Sequence, residues 1–255
     1  MPYTLFPLGD SAVTLDLGPV IDEHHNIRVQ AIHDWLQRHR FPGILDVIVA
    51  YSSVSVFYDP AVVRASGVTG GQRTGAWAEG LLVRGWEETE PGTDAALRPG
   101  LAGTLADGGA RQRSGRPFRI PVCYEGAYAP DLAEVARQQG LSVPEVIGLH
   151  TAGIYRVYMI GFLPGFPYLG TVDPRLEVPR KQRPVPVTAG GVGVAGKQTG
   201  IYPLNSPGGW SIIGRTPVKL FDPATDPPVR LQTGDRVEFY SIPAEEFHRV
   251  SGFSG

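Results

Sequence analysis

The chain has 255 residues, 42% of them hydrophobic, which provides for a sizeable core and excludes wholesale disorder. A formal net charge of −2 gives no global attraction to nucleic acid or to an anionic membrane. The single cysteine, Cys123, cannot form an intrachain disulfide, and the first residues lack the basic and long apolar segments of a secretion signal, so the expectation is a cytoplasmic protein.

Glycine and proline are abundant, 33 and 24 residues, which favours a turn-rich, β-heavy fold over a helical bundle. Residues 1–90 read as a small α/β domain. Leu5–Leu8 is a candidate edge strand, and Val13, Leu15 and Leu17 alternate with polar residues as in a half-buried strand. Asp22 is placed to cap a helix reaching His39, with Ile27, Ala31, Ile32, Trp35 and Leu36 on one face. Phe41-Pro42-Gly43 ends it, and Ile44–Tyr51 and Val54–Tyr58 follow as two strands. The strand–helix–strand–strand order predicts a ferredoxin-like split α/β sandwich. Trp77–Trp86 reads as a short helix with Leu81 and Leu82 inward, and residues 91–116, without periodicity, read as a linker or loose loop.

Residues 117–255 form the second expected domain. Phe118–Val122 is a short strand. A helix follows from Pro130, with Asp131 complementing its dipole, Leu132, Val135 and Ala136 as its apolar face and Gly140 past its end. Ser142 and Glu145 have capping-box spacing for a second helix, which carries His150 at its C-terminal end on the face of Val146 and Ile147. Tyr155–Ile160, Val192–Ala195, Ser211–Ile213, Val218–Phe221 and Arg236–Tyr240 are strands. Turns fall between them at Ser206-Pro207-Gly208-Gly209 and Thr233-Gly234-Asp235, a pattern that predicts a closed or nearly closed barrel.

Within the barrel sequence, Gly191-Val192-Gly193-Val194-Ala195-Gly196 matches GxGxxG, and with Lys197 nearly matches a phosphate-binding loop. Both motifs depend on a helix N-terminus aimed at phosphate. The residues that follow, Gln-Thr-Gly-Ile-Tyr-Pro, cannot form such a helix, so a glycine-rich β turn is the better reading, with Lys197 a plain cation. Arg175, Arg180, Lys181, Arg183 and Arg215 make this half locally basic, either as solvated surface or as a set that holds a carboxylate or phosphate. His150 is a core histidine if buried and the natural acid–base candidate if exposed. Phe162, Phe166, Tyr168, Tyr202 and Trp210 line either a core or a pocket. Cys123 reads as a buried thiol, and no metal-ligand spacing is found.

Three segments carry a family resemblance: Arg156-Val157-Tyr158-Met159-Ile160-Gly161-Phe162-Leu163-Pro164-Gly165-Phe166-Pro167-Tyr168-Leu169-Gly170, Ala195–Pro203 and Ser206–Pro217. They closely resemble the KipI / allophanate hydrolase subunit 1 family, whose widespread bacterial members are the B component (PxpB) of ATP-dependent 5-oxoprolinase. The resemblance implies an α+β, two-domain fold, a small ferredoxin-like α/β N-terminal domain followed by a cyclophilin-like β-barrel C-terminal domain. It implies a non-autonomous subunit that cleaves 5-oxo-L-proline to L-glutamate only with two partners. These are a KipA-like protein (PxpC, allophanate hydrolase subunit 2) and a further component, PxpA. ATP is then used by the complex and is not assigned to this chain, and no metal or organic cofactor is implied. The family also contains an inhibitor of a sporulation histidine kinase and carboxyltransferase components of urea and allophanate metabolism, which stand as alternatives. By position, His150 is carried over as the catalytic candidate, and Arg180, Arg183, Gln198, Thr199 and Arg215, with Lys197, as substrate-binding candidates. The chain departs from the family pattern at Gly191, where a serine is common, and at Lys197, where a glycine is common.

Overall fold

The computed structural model describes residues 2–89 and 116–252; the expected linker, 91–116, lies outside these apart from Arg116. The chain divides into two compact units, Met1–Ser114 and Gly115–Gly255. No helix among the described residues is long and apolar enough to cross a membrane.

The first unit contains β1 (Thr4–Pro7), β2 (Ala12–Asp16), α1 (Glu23–His39), β3 (Ile44–Val49), β4 (Ser53–Tyr58), α2 (Pro60–Ala65) and α3 (Thr74–Glu88). The strands form an antiparallel sheet in the order β1-β2-β4-β3. Val13, Leu15, Val54, Val56 and Tyr58 from this sheet pack with Val29, Ile32, Trp35 and Leu36 of α1 and Trp77, Leu81, Leu82 and Trp86 of α3. Asp22 caps α1 by accepting the His25 N–H at 3.0 Å. Asp59 and Pro60, expected only to close the strand run, instead start α2, where the Asp59 carboxylate accepts from Ala61 and Val62.

The buried face of α1 is rotated from the expected one. Ile27 is exposed, while the polar Asn26 and Arg28 are buried. Backbone acceptors explain this: Asn26 Nδ2 donates to the Tyr51 carbonyl at 3.2 Å, and the Arg28 guanidinium donates to the carbonyls of Trp86 and Thr89. Arg28 thereby satisfies carbonyls that the end of α3 leaves unpaired, and its guanidinium lies 4.1 Å over the Trp86 ring. The helix expected over Trp77–Trp86 is longer by three residues at its start and two at its end.

The second unit contains β5 (Phe118–Val122), α4 (Leu132–Gln139), α5 (Val143–Ala152), β6 (Ile154–Ile160), β7 (Pro167–Gly170), β8 (Val185–Val187), β9 (Gly191–Ala195), β10 (Gln198–Ile201), β11 (Ser206–Gly208), β12 (Ser211–Arg215), β13 (Arg236–Ser241) and α6 (Ala244–Gly252). Ser142 and Glu145 form the expected capping box at the start of α5. Two strand expectations are corrected. Ser206–Gly208 is not a turn but a strand paired with β8, and Val218–Phe221 makes only one bridge, from Phe221 to Val229. Three prolines among residues 223–228 shorten that ribbon, because proline supplies no ladder donor.

Seven strands form one sheet in the order β12-β9-β10-β7-β6-β13-β5. Its two outer strands meet just beyond the end of β5. Cys123 N–H donates to the Arg215 carbonyl at 2.8 Å and Arg215 N–H donates to the Cys123 carbonyl at 2.9 Å, which closes the sheet into a barrel. The interior is filled by Ile120, Val122, Val157, Leu169, Val192, Val194, Ile201, Ile213, Val237 and Phe239, together with the apolar faces of α4 and α5.

The seam admits no side chain at Gly214. A β-carbon there would stand 2.5 Å from Val122 Cγ1 and 3.2 Å from the Cys123 carbonyl oxygen. Gly148, on the exposed side of α5, has nothing within 4 Å of the same position. Gly214→Ala is therefore expected to destabilise the protein by about 1–3 kcal/mol through overpacking, whereas Gly148→Ala stabilises it by about 0.5–1 kcal/mol through helix propensity. Urea unfolding of the two variants checks this, and equal midpoints would contradict the close-packed seam.

Candidate functional site

The sheet separates two sets of candidates, because alternate residues of each strand face opposite ways. On β10, Thr199 and Ile201 point into the barrel, whereas Gln198 and Gly200 point out.

His150 lies on the inner side. Its ring is fully buried, stacked at 4.6 Å on Phe239, with the Tyr155 ring 5.5 Å away. Thr199 Oγ1 donates to the Gly193 carbonyl at 3.0 Å, and a carbonyl can only accept. The single hydroxyl proton of Thr199 is thus committed, so the 2.9 Å contact with His150 is a donation from Nε2–H. Nδ1 then accepts from the Tyr124 hydroxyl at 2.8 Å. The Tyr155 hydroxyl donates to the His150 carbonyl at 2.8 Å. Burial lowers the His150 pKa to about 3 and raises that of Tyr124 well above the ordinary phenol value. His150 is therefore a neutral core residue with both ring nitrogens occupied. The proton-shuttle role expected for it, and a ligand contact for Thr199, do not fit this placement.

The glycine run is strand and turn. Gly191–Ala195 is β9, and Gly196-Lys197 is the two-residue turn into β10, with Gly196 at φ +54°. No helix follows, so there is no phosphate-binding terminus. Lys197 is exposed at the hairpin tip, at the opposite end of β10 from Tyr202. Arg215 ends β12 at the seam, where Nε donates to the Ala189 carbonyl at 2.8 Å and the guanidinium faces Phe247 of α6 at 5.7 Å. Cys123 is buried, and burial pushes its thiol pKa up. Lys197 and Arg215 therefore lie apart from Arg180, Lys181 and Arg183, which share one segment.

What the structure does bring together lies on the outer face. Phe166, Tyr202, Trp210 and Ile212 form a separate apolar cluster there, with Tyr168 and Leu163 against it. The Phe166 ring is 5.0 Å from Tyr202 and 5.6 Å from Trp210, both edge-on. Glycines make room for these rings. A β-carbon on Gly200 would meet Phe166 and Trp210 ring atoms at 3.0 Å, and one on Gly208 would collide with the Tyr202 ring. Arg180 is exposed and its charge acts on both Tyr168 and Tyr202, partly opposing the rise that burial gives each phenol. Gln198 lies diagonally across the strands from Tyr168 on the same face, and Arg183 is exposed on the segment that carries Arg180.

At the rim, Leu163 N–H donates to the Gly161 carbonyl at 2.8 Å, a γ-turn that holds Phe162 at φ +66°. The Phe162 ring is 61% exposed and edge-on to Phe166 at 5.7 Å. A non-glycine residue in this conformation stores strain of about 1–3 kcal/mol, as residues at functional sites do. Arg180, the half-buried Tyr168 phenol and the exposed Phe162 ring border this cluster, with Gln198 facing the same side as Tyr168, and groups of this kind suit a small anionic ligand with a planar polar group. These groups recognise and polarise; none is a base poised near neutrality. Among the described residues, no group of three or more His, Cys, Asp or Glu side chains is placed to hold a metal.

Sequence reasoning missed the partner of Lys181. Asp131 makes no cap to its own helix and instead reaches Lys181 and the Ile212 N–H. The contacts span 50 and 81 residues, so no local pattern signals them.

Residues 3–231 match the family model described as carboxyltransferase domain, subdomain C and D. The chain is 40% identical over 247 residues to the 5-oxoprolinase B component of Bacillus subtilis, covering 96% of this chain and 95% of that protein. It is 48% identical over 242 residues to the 5-oxoprolinase B component of Haemophilus influenzae, covering 92% and 96%. A putative urea carboxylase of Emericella nidulans is 30% identical over 163 residues, 52% of this chain and 13% of that protein. The crystal structure of TTHA0988 aligns with TM-score 0.69 and 36% identity over 91% of this chain, which spans 40% of that longer chain. The urea carboxylase of Kluyveromyces lactis shares the fold at TM-score 0.71 and 19% identity, over 97% of this chain and 22% of that one.

The buried imidazole generates a pH prediction. His150 has a pKa near 6.5 when unfolded and about 3 when folded, so its contribution is fully present above pH 6.5 and is lost as pH falls towards 3. Between pH 6.5 and 5 this group alone is expected to remove about 2 kcal/mol of stability. His150→Phe, although less stable at pH 7, should lack that increment in urea unfolding. An imidazole NMR titration centred near pH 6 would contradict the assignment.

Proposed function

The chain belongs to the carboxyltransferase subdomain C and D family, alongside the B components of 5-oxoprolinases, and from that premise we propose that it is the B component of an ATP-dependent 5-oxoprolinase complex. It acts with a PxpA-type component and a KipA-like, PxpC-type component, and the complex opens 5-oxo-L-proline to L-glutamate. The observation that carries this reading is the near-full-length relationship to two proteins of that name. The geometry supports a recognition role. Arg180 takes the ligand carboxylate, the Tyr168 hydroxyl and the Gln198 carboxamide address the lactam amide, and the Phe162 ring covers the apolar edge of the ring.

Lactam opening breaks a C–N bond and adds water, with ATP activating the carbonyl. The patch supplies no base for the water, so the bond-breaking groups come from partner chains. ATP binding is not assigned to this chain, because its glycine run is strand and hairpin without a helix N-terminus for phosphate. A second reading, a carboxyltransferase component of urea metabolism, is favoured by the family description and by the urea carboxylase relative. It predicts a biotin-dependent partner instead.

Reconstitution with the PxpA-type and PxpC-type components is expected to release glutamate from 5-oxoproline only when ATP and all three chains are present. Arg180→Ala should raise KM by about 10–100-fold, the loss of one charge-assisted hydrogen bond of roughly 1.5–3 kcal/mol. An assembled complex without glutamate release would contradict the 5-oxoprolinase reading.

A further inference from the structure

The segment that carries Arg180 and Arg183 is fastened by a brace outside the patch. Asp131 Oδ2 accepts from Lys181 Nζ at 2.7 Å and from the Ile212 N–H at 2.6 Å. The Asp131 N–H donates back to the Ile212 carbonyl at 3.0 Å, and the Lys181 N–H donates to the Gly209 carbonyl at 2.8 Å. One carboxylate thus ties the start of α4, strand β12 and the basic segment together. The pair is only partly open to water, with the Lys181 and Asp131 side chains 27% and 22% exposed. Arg137–Glu134 and Arg175–Asp173, by contrast, join near neighbours in sequence, and both arginines are well exposed. Exposed local pairs of that kind contribute little, whereas an ion pair that also holds backbone groups fixes geometry.

Lys181 is next to Arg180 in the chain. Arg180 Nε lies 3.8 Å from the position a β-carbon on Gly209 would take, and Gly209 is the residue whose carbonyl holds the Lys181 backbone. Side chain and backbone of Lys181 are therefore both anchored, and Arg180 is left with only its own torsions to search. We infer that Asp131 is a positioning residue for ligand recognition: through Lys181 it holds the basic segment against Gly209 and keeps Arg180 beside Tyr168 and Tyr202. The inference rests on the reading of Arg180 as the carboxylate-binding group.

The test uses the assembled three-chain complex. Asp131→Asn keeps an acceptor for the Ile212 N–H but loses the charge that fixes Lys181. Lys181→Met removes the cation and leaves the Asp131–Ile212 bonds intact, and Lys181→Arg keeps the charge. Asp131→Asn and Lys181→Met should each raise KM for 5-oxoproline by about tenfold, with kcat within about twofold, and the double variant should be no worse than either single. Lys181→Arg should retain most of the wild-type KM. On the isolated chain, trypsin should cut after Arg180 and Lys181 faster in Asp131→Asn than in wild type, at a similar melting temperature.

If Arg180→Ala raises KM while Asp131→Asn and Lys181→Met leave it unchanged, the positioning inference is overturned and the ligand reading stands. If Arg180→Ala itself leaves KM unchanged, the ligand reading falls and takes the inference with it. If Asp131→Asn lowers kcat and the melting temperature without a KM change or faster cleavage, the brace is structural only and the inference fails. Should Asp131→Asn not fold, Lys181→Met carries the test.

Discussion

Two backbone hydrogen bonds between Cys123 and Arg215 make the seven-stranded sheet a closed barrel, and the division of the sheet's side chains between an inner and an outer face follows from that closure. An open sheet would leave β5 and β12 with unpaired edges; closure gives one face to a dry interior and the other to solvent. Any polar group facing inward must then find its partners inside. His150, Tyr124 and Thr199 do so as a chain of neutral hydrogen bonds ending on the Gly193 carbonyl. A ligand from solvent therefore does not meet these three groups.

That face explains the glycine density that first suggested a nucleotide loop. Gly200 and Gly208 sit where aromatic rings lie against backbone, and Gly214 sits where two strands meet. The Phe166 ring is held edge-on to the rings of both Tyr202 and Trp210 over β9 and β10. This rigid floor carries a half-buried Tyr168, an exposed Arg180 and the strained turn that presents Phe162. Rigid aromatic support beneath a few polar groups is how recognition sites gain orientation without ordering costs at the moment of binding.

Much of the fold was legible in the sequence. Period-two alternation at Val13, Leu15 and Leu17 located β2, the short segments expected as strands include β5, β6 and β13, and capping chemistry at Asp22 and Ser142 located the starts of α1 and α5. The errors share a cause, partners far away in sequence. Asn26 and Arg28 look like solvent-facing positions of a helix, yet distant carbonyls bury them. Ser206–Gly208 has turn composition, yet Val185–Val187 pairs with it as a strand. Asp131 has the composition of a helix start, yet its carboxylate serves Lys181 and Ile212. The candidate site was partly legible: the outer face carries the aromatic residues, with Arg180 beside them, whereas Lys197, Thr199, Arg215 and His150, grouped with them by nearness in sequence to the same motifs, lie at the barrel's tip, interior and seam.

In the proposed function the chain recognises rather than cleaves, with a recognition patch on the outer wall of the barrel and the reacting groups on other chains. Hydrogen–deuterium exchange on the assembled complex, with and without 5-oxoproline and in the absence of ATP, addresses that claim most directly. The account predicts slowed exchange in this chain at residues 161–168, 179–183 and 198–210, with little change at the seam around 120–124 and 213–216. Protection confined to the seam, or found only in the partner chains, would contradict it.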